Sequence, residues 1–155
     1  MSGVLNVFAD SDPSTTGLEQ LRALIANKTR VPIFDTMGFE LIEVDEGRAL
    51  FSGTPSAHVY NPIGSVHGGY AAAMLDSACG VAVHTKLPAG FAYTTLELKI
   101  SYVRGLSVDV GPVRAEGVTL SVGKRVAFAE AKITDANGRL YATASSTCLV
   151  FENNR

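Results

Sequence analysis

The sequence predicts an α+β domain in which an antiparallel β-sheet wraps one long central helix. Residues 68 to about 86 are almost all small and apolar, rich in Ala, Leu and Met, and no proline interrupts them before Pro88. That composition favours helix, and a helix apolar nearly all round is normally buried. Alternating apolar and polar segments, two before this run and four after it, have the period of β-strands. Short turn signals join them, among them Asp45-Glu46-Gly47 and Asp135-Ala136-Asn137-Gly138. The Asn-Gly pair in the second is a strong sign of a tight hairpin. Strands grouped around a single buried helix, rather than alternating with several, make the class α+β.

The bulk numbers agree with one domain. The chain has 155 residues, 46% hydrophobic and 18% charged, enough to bury a real core. Thirteen basic and fifteen acidic residues leave a net charge of -2. There is no basic surplus for nucleic acid and no like-charge block for a tail. Cys79 and Cys148 fall in apolar patterns and read as buried, reduced thiols. The N-terminus lacks a basic region followed by a long apolar core. No stretch approaches the ~18 uninterrupted apolar residues of a membrane span. The expectation is a soluble, cytoplasmic protein with no membrane contact.

Taken in order, residues 1–17 are polar and read as a loose arm. Leu18, Leu21, Leu24 and Ile25 then recur at the spacing of an amphipathic helix, with Thr16 able to cap its start. Asn27, Lys28 and Pro32 end it. Residues 1–30 are therefore set apart as arm and helix, and 31–155 as the main domain. Residues 38–55 read as a hairpin. Phe39, Leu41 and Glu43 alternate with Glu40, Ile42 and Val44; Arg48, Leu50 and Ser52 alternate with Ala49, Phe51 and Gly53. A polar loop over 56–66 leads into the central helix. After the Leu87-Pro88-Ala89-Gly90 turn, Leu96, Leu98, Ile100 and Tyr102 share one face of a strand, and Thr95, Glu97, Lys99 and Ser101 the other. Strands over 110–122, 125–134 and 140–151 complete the chain.

The chemistry concentrates where Asn61-Pro62-Ile63-Gly64-Ser65-Val66-His67-Gly68-Gly69 enters the helix. The first N–H groups of a helix lack internal partners and sit at the positive end of its dipole. At Gly68 and Gly69 no side chain blocks an approaching group, so an oxyanion is well placed there. The same glycines equally suit tight packing or a positive φ. Asp76 is the one carboxylate in the apolar run. It either bonds a nearby backbone or Thr group, since an unpartnered buried acid is costly, or serves catalysis.

Asp76 lies eight residues after Gly68, ~12 Å along a helix axis. Reacting atoms must come within ~3.5 Å. If both act on one carbonyl they belong to different protomers, which predicts a two-fold dimer with two shared sites. His67 reads as a loop-orienting imidazole or a base, although no Ser or Cys stands at a fixed offset from it. Asn61 either holds the turn or donates to a substrate carbonyl. His58 and His84 carry no motif. No His-x-x-x-His or Cys-x-x-Cys spacing exists, so no metal is expected. The glycines match neither a phosphate loop nor a dinucleotide fingerprint.

Asn61-x-x-Gly64-x-x-His67-Gly68-Gly69, with Asp76 nine residues after the His, resembles the signature of hotdog-fold acyl-CoA thioesterases of the PaaI-like, phenylacetate-degradation type. Thr95-Leu96-Glu97-Leu98-Lys99-Ile100-Ser101-Tyr102-Val103-Arg104 is similar to that family's next motif, and Gly38-Phe39-Glu40-Leu41 through Gly47 resembles its opening hairpin. The likeness covers roughly residues 32–151. It implies a sheet wrapped around a helix, edge-to-edge homodimers often doubled to homotetramers, and hydrolysis of an acyl-CoA with no separate cofactor. It implies Asp76 as nucleophile or general base and Gly68 N–H as the group polarising the thioester carbonyl. Asn61 and His67 would support the loop or substrate, and Thr95 would position Asp76 or water. Gly105 departs from a frequent Pro. Simple alternation also puts Thr94, not Thr95, on the face of Leu96 and Leu98; a bulge or the dimer seam is needed to reconcile the two.

Such chemistry needs few groups. A thiolate leaving group, with a pKa near ~8.5 by analogy with Cys, departs without a strong general acid. Asp76 can attack to form a mixed anhydride or activate water. Arg104, Lys124 and Arg125, at strand ends or turns, are candidates for the CoA phosphates or ordinary solvated charges. The competing readings are a hotdog hydratase or dehydratase, with its His/Asp pair placed differently, and a non-catalytic acyl-CoA sensor. Aromatic and medium-chain acyl groups both remain open.

Overall fold

The computed structural model describes residues 6–9 and 11–153. Thr16 begins the first helix, α1 (Gly17–Ala26), with a complete capping box. Its hydroxyl accepts from Glu19 N–H, and the Glu19 carboxylate accepts from Thr16 N–H at 2.7 Å. A cap of this kind contributes about 1 kcal/mol. A second helix, α2 (Pro32–Met37), occupies the place where the sequence suggested only a helix-ending proline. Pro32 sits in its first turn, where the missing N–H would have no partner anyway, and Gly38 closes it at φ 75°.

The hairpin β1 (Phe39–Asp45) and β2 (Arg48–Gly53) follows, then the long helix α3 (Gly68–His84). Four strands complete the chain: β3 (Phe91–Tyr102), β4 (Val113–Val122), β5 (Val126–Asp135) and β6 (Leu140–Glu152). All six form one sheet in the order β1-β2-β4-β5-β6-β3, with every neighbouring pair antiparallel. Because β2 and β3 lie on opposite sides of the β4-β5-β6 block, the segment joining them crosses the sheet. That segment is α3, and the sheet curls around it.

Met74, Leu75, Ala78, Cys79, Ala82 and Val83 of α3 are fully buried against Phe51, Val113, Ala115, Ile133 and Cys148. The layers close tightly where residues are small. A Cβ on Gly117 of β4 would stand 2.1 Å from the Ala78 carbonyl oxygen. A Cβ on Gly17 would stand 1.9 Å from the His84 carbonyl oxygen, so α1 starts hard against the end of α3. Both cysteines are buried and free, as the sequence implied.

Two bulges redirect the alternation read from the sequence. In β1 the register shifts between Leu41 and Glu43, and Val44 rather than Glu43 joins Phe39 and Leu41 in the core. In β3 it shifts between Thr95 and Glu97, leaving Leu96 59% exposed. A bulge adds one residue to one strand and so reverses which side the following residues face. Thr95 therefore shares the inner face with Leu98 and Ile100, and Leu96 does not. β1 and β3 are the edges of the sheet, and β3, twelve residues long, leaves the hydrogen-bonding groups of about every second residue unpaired on its outer side. Among the described residues, no helix is long and apolar enough to cross a membrane.

Candidate active site

The loop entering α3 is held by its own side chains. Asn61 Oδ1 accepts from the N–H groups of Ile63 and Ser65, both at 3.1 Å, and its Nδ2 donates to Ser65 Oγ at 2.9 Å. The amide is thus committed at both ends to the turn, in which Gly64 adopts φ 83°. His67 N–H donates to Val59 O at 2.8 Å, and Val66 N–H to Leu106 O at 3.1 Å, tying the loop to its surroundings. His67 is the N-cap of α3: its Nδ1 accepts from Gly69 N–H at 2.8 Å. That bond requires Nδ1 to be unprotonated.

Gly68 N–H, the first of the helix, has no acceptor among the described residues. Tyr102, at the end of β3, lies over it: its hydroxyl donates to Gly68 O at 2.9 Å. A Cβ on Gly68 would meet the Tyr102 ring at 3.1 Å, so a side chain there crowds the contact. A hollow of about 460 Å³ opens here, with His67, Gly68, Tyr102, Arg104 and Leu106 in its wall. Tyr102 was absent from the sequence-based set of site residues; only its place in the strand motif pointed to it.

Two turns along α3, Asp76 is half-buried. Thr95 Oγ1 donates to its Oδ1 at 2.9 Å. The bulge after Thr95 allows this, while Thr94 points outward and is exposed. Burial, with smaller contributions from Cys148 and Asp76, pushes the Cys79 thiol up to about 12. That thiol is therefore a poor source of thiolate, which leaves Asp76 as the candidate nucleophile on this stretch of α3. Gly68 and Asp76 lie on one helix, ~12 Å apart, too far to meet a single carbonyl within one chain.

The three candidate cations are divided. Arg104 stands at the rim of the Gly68 hollow, donates to Leu140 O at 2.7 Å and lies 6.0 Å from the Tyr141 ring centre. Lys124 and Arg125 are exposed in the β4–β5 turn. Tyr102 pairs with Ala142, whereas Val126 pairs with Leu149; the two ends are ~23 Å apart along β6 at ~3.3 Å per residue. One chain does not gather them.

A family model described as Thioesterase superfamily matches residues 63–142, just over half of the chain. The chain belongs to the thioesterase superfamily. The match runs from the glycine loop through α3 and β3 to the start of β6. Within that superfamily it is a hotdog-fold, PaaI-like member. It is 25% identical over 116 residues to a 1,4-dihydroxy-2-naphthoyl-CoA hydrolase of Listeria monocytogenes, covering 75% of this chain and 93% of that protein. A variant of the phenylacetic acid degradation protein PaaI from Thermus thermophilus superposes with a TM-score of 0.69 at 26% identity, over 77% of this chain and 98% of that one. A thioesterase of Haemophilus influenzae gives a TM-score of 0.75 at 20% identity over 91% and 94% of the two chains, which speaks for the fold alone. Membership supports hydrolase activity on CoA thioesters at the level of the family.

Proposed function

We propose that this thioesterase-superfamily chain hydrolyses acyl-CoA thioesters to a free acid and CoA, at two sites shared across a homodimer interface. One observation carries the reading. A half-buried Asp76, held by Thr95, lies on the same helix as a Gly68 N–H that has no acceptor among the described residues, and the two are too far apart to serve one substrate alone. Antiparallel α3 helices related by a two-fold axis would bring each Asp76 beside the other chain's Gly68. The free edge of β3 is a natural seam for such pairing.

In this scheme the thioester carbonyl oxygen accepts from Gly68 N–H of one protomer. An Asp76 oxygen of the other protomer attacks the carbonyl carbon. The C–S bond breaks and CoA leaves as a thiolate. Water then opens the mixed anhydride, releasing the acid and restoring the carboxylate. In the alternative route Asp76 takes the proton of a water that attacks directly. Asn61 and His67 keep the Gly68 N–H aimed outward, and Arg104 is the nearest cation for the CoA phosphates.

The test is free-thiol release from a panel of aliphatic and aromatic acyl-CoAs by wild type and Asp76→Asn. The variant should lose roughly 100-fold or more in kcat. Undiminished turnover refutes the assignment, as does full activity in a monomer. Tight binding by wild type without thiol release points to a sensor instead.

A further inference from the structure

Beyond Asp76, α3 and β3 run on side by side, and their facing residues form a ladder. Residues four apart on a helix and two apart on a strand share a face. The first rung is Asp76 with Thr95, bonded at 2.9 Å. The second is Gly80 with Tyr93: a Cβ on Gly80 would stand 2.5 Å from the Tyr93 ring, so the ring rests on the helix backbone. Past it stands His84, its ring centre 5.9 Å from that of Tyr93 and, like Phe91, in the wall of one cavity.

Exposure changes along this face of the helix. Ala73, Asp76 and Ser77 are half-buried. Val81 and His84 are only 8% and 7% exposed, because α1 and the segment at Phe8 close over them. Under that cover lies a cavity of about 540 Å³. Leu21 and Leu24 of α1, Phe34 of α2, and Phe91 and Tyr93 of β3 form its walls. No Asp, Glu, Lys or Arg among the described residues lines it. Its most polar wall is already satisfied: His84 Nε2 and Gln20 Oε1 bond at 2.9 Å, and the imidazole stacks on Phe8 at 5.3 Å. Burial lowers the His84 pKa to about 4, so the ring is neutral at pH 7.

We propose that this cavity is the recess for the acyl group of the substrate, that it takes a linear medium-chain acyl group, and that α1 sets its length. The inference rests on the thioester hydrolysis proposed above. The occupant follows from the order of groups along α3, with the reacting carboxylate at one end, the Tyr93 ring packed on Gly80 next and the uncharged cavity beyond, so that a bound chain displaces the Tyr93 ring from its place on the helix. From Asp76 to His84 is ~12 Å along the helix. An extended chain advances ~1.25 Å per methylene, given C–C bonds of ~1.52 Å, so about ten carbons reach the level of His84. The far wall is α1, which lies outside the matched residues 63–142. Chain-length preference is then a property of this sequence and not of the superfamily segment.

The experiment measures kcat/KM for straight-chain acyl-CoAs from acetyl to tetradecanoyl, and for phenylacetyl-CoA. Each added methylene should raise kcat/KM by about fourfold, up to about ten carbons, with no gain beyond. Leu24→Trp, which fills the recess, should move that break to shorter chains, and Leu24→Ala should move it to longer ones. If the Trp variant fails to fold, the Ala variant carries the same test in the opposite direction. A flat chain-length profile, a preference for phenylacetyl-CoA over every straight chain, or a break unmoved by Leu24 variants overturns the recess while hydrolysis stands. Absence of thiol release from every thioester, acetyl-CoA included, overturns hydrolysis and recess together.

Discussion

Thr95→Val tests the step on which the site depends most. Thr95 gives Asp76 its one hydrogen bond from a side chain among the described residues, at 2.9 Å. Valine has nearly the same shape but cannot donate. A hydrogen bond to a charged acceptor contributes about 1.5–3 kcal/mol. Asp76 is half-buried rather than fully desolvated, so the lower part of that range applies. At 1.36 kcal/mol per decade, kcat/KM should fall by roughly 10- to 50-fold. Stability should change little, by about 1 kcal/mol or ~2–4 °C in melting temperature for a domain of this size. Thr95→Ser keeps the hydroxyl and should recover most of the activity. Thr94→Val is the matched control, because Thr94 is exposed on the outer face. The assay is thiol release under subsaturating acyl-CoA, with a melting curve for each variant. If Thr95→Val stays within about twofold of wild type while Thr94→Val loses activity, the bulge has been assigned to the wrong side and the positioning role of Thr95 falls.

Other outcomes follow from the packing and the charges. Gly117→Ala would drive a methyl to 2.1 Å from the Ala78 carbonyl oxygen; it should destabilise the fold by about 3 kcal/mol, read as a melting temperature lower by roughly 6–12 °C. A neutral, buried His84 gives the protein an acid-sensitive element. Burial holds its pKa near 4, below the ordinary value of 6.5, so the unfolded chain takes up a proton in that window that the folded one refuses. The stability it protects is complete above pH 6.5 and is lost as pH falls towards 4. The loss between pH 7 and 5 should be about 2 kcal/mol. Urea titrations at the two pH values should show this difference in wild type and a much smaller one in His84→Gln; equal differences would exclude His84 as the source. Arg104→Ala should raise KM for acyl-CoA by about tenfold through loss of a charge-assisted contact, more than Lys124→Ala or Arg125→Ala does. An acyl-pantetheine substrate without the nucleotide phosphates should show no such difference, and the same rise with both substrates would argue against a phosphate contact.

Much of this architecture was visible in the amino-acid order. The run from Gly68 to His84 is too apolar for any place but the interior and too rich in Ala and Leu for anything but helix. The six strands, the Asp45-Glu46-Gly47 and Asn137-Gly138 turns, and the Thr16 cap each depend on residues close in sequence, where composition and period speak directly. The glycine loop, the lone Asp76 and their spacing named the candidate site and implied that two copies share it. Even α2 has local signs: Pro32, which by composition only ends the preceding helix, and Gly38, which by composition only opens the hairpin, together bound a short helix.

The rest depended on contacts between distant residues. Alternation placed Thr94 inward because a period of two cannot register an inserted residue, and the bulge exists only in the pairing of β3 with β6. His67 as a cap, Asn61 closed on its own loop, and Tyr102 over Gly68 follow from backbone geometry and from a strand end thirty-four residues away. The separation of Arg104 from Lys124 and Arg125 is likewise a matter of strand order. By itself, then, the sequence determined the six strands and the two longer helices, which stretch is the candidate for the chemistry, and the ~12 Å of helix between Gly68 and Asp76. Only the tertiary structure decided which threonine meets the carboxylate and what lies beyond it under α1. Period and propensity act over one or two turns of chain, whereas strand register and the closure of a cavity are settled by partners far away in sequence.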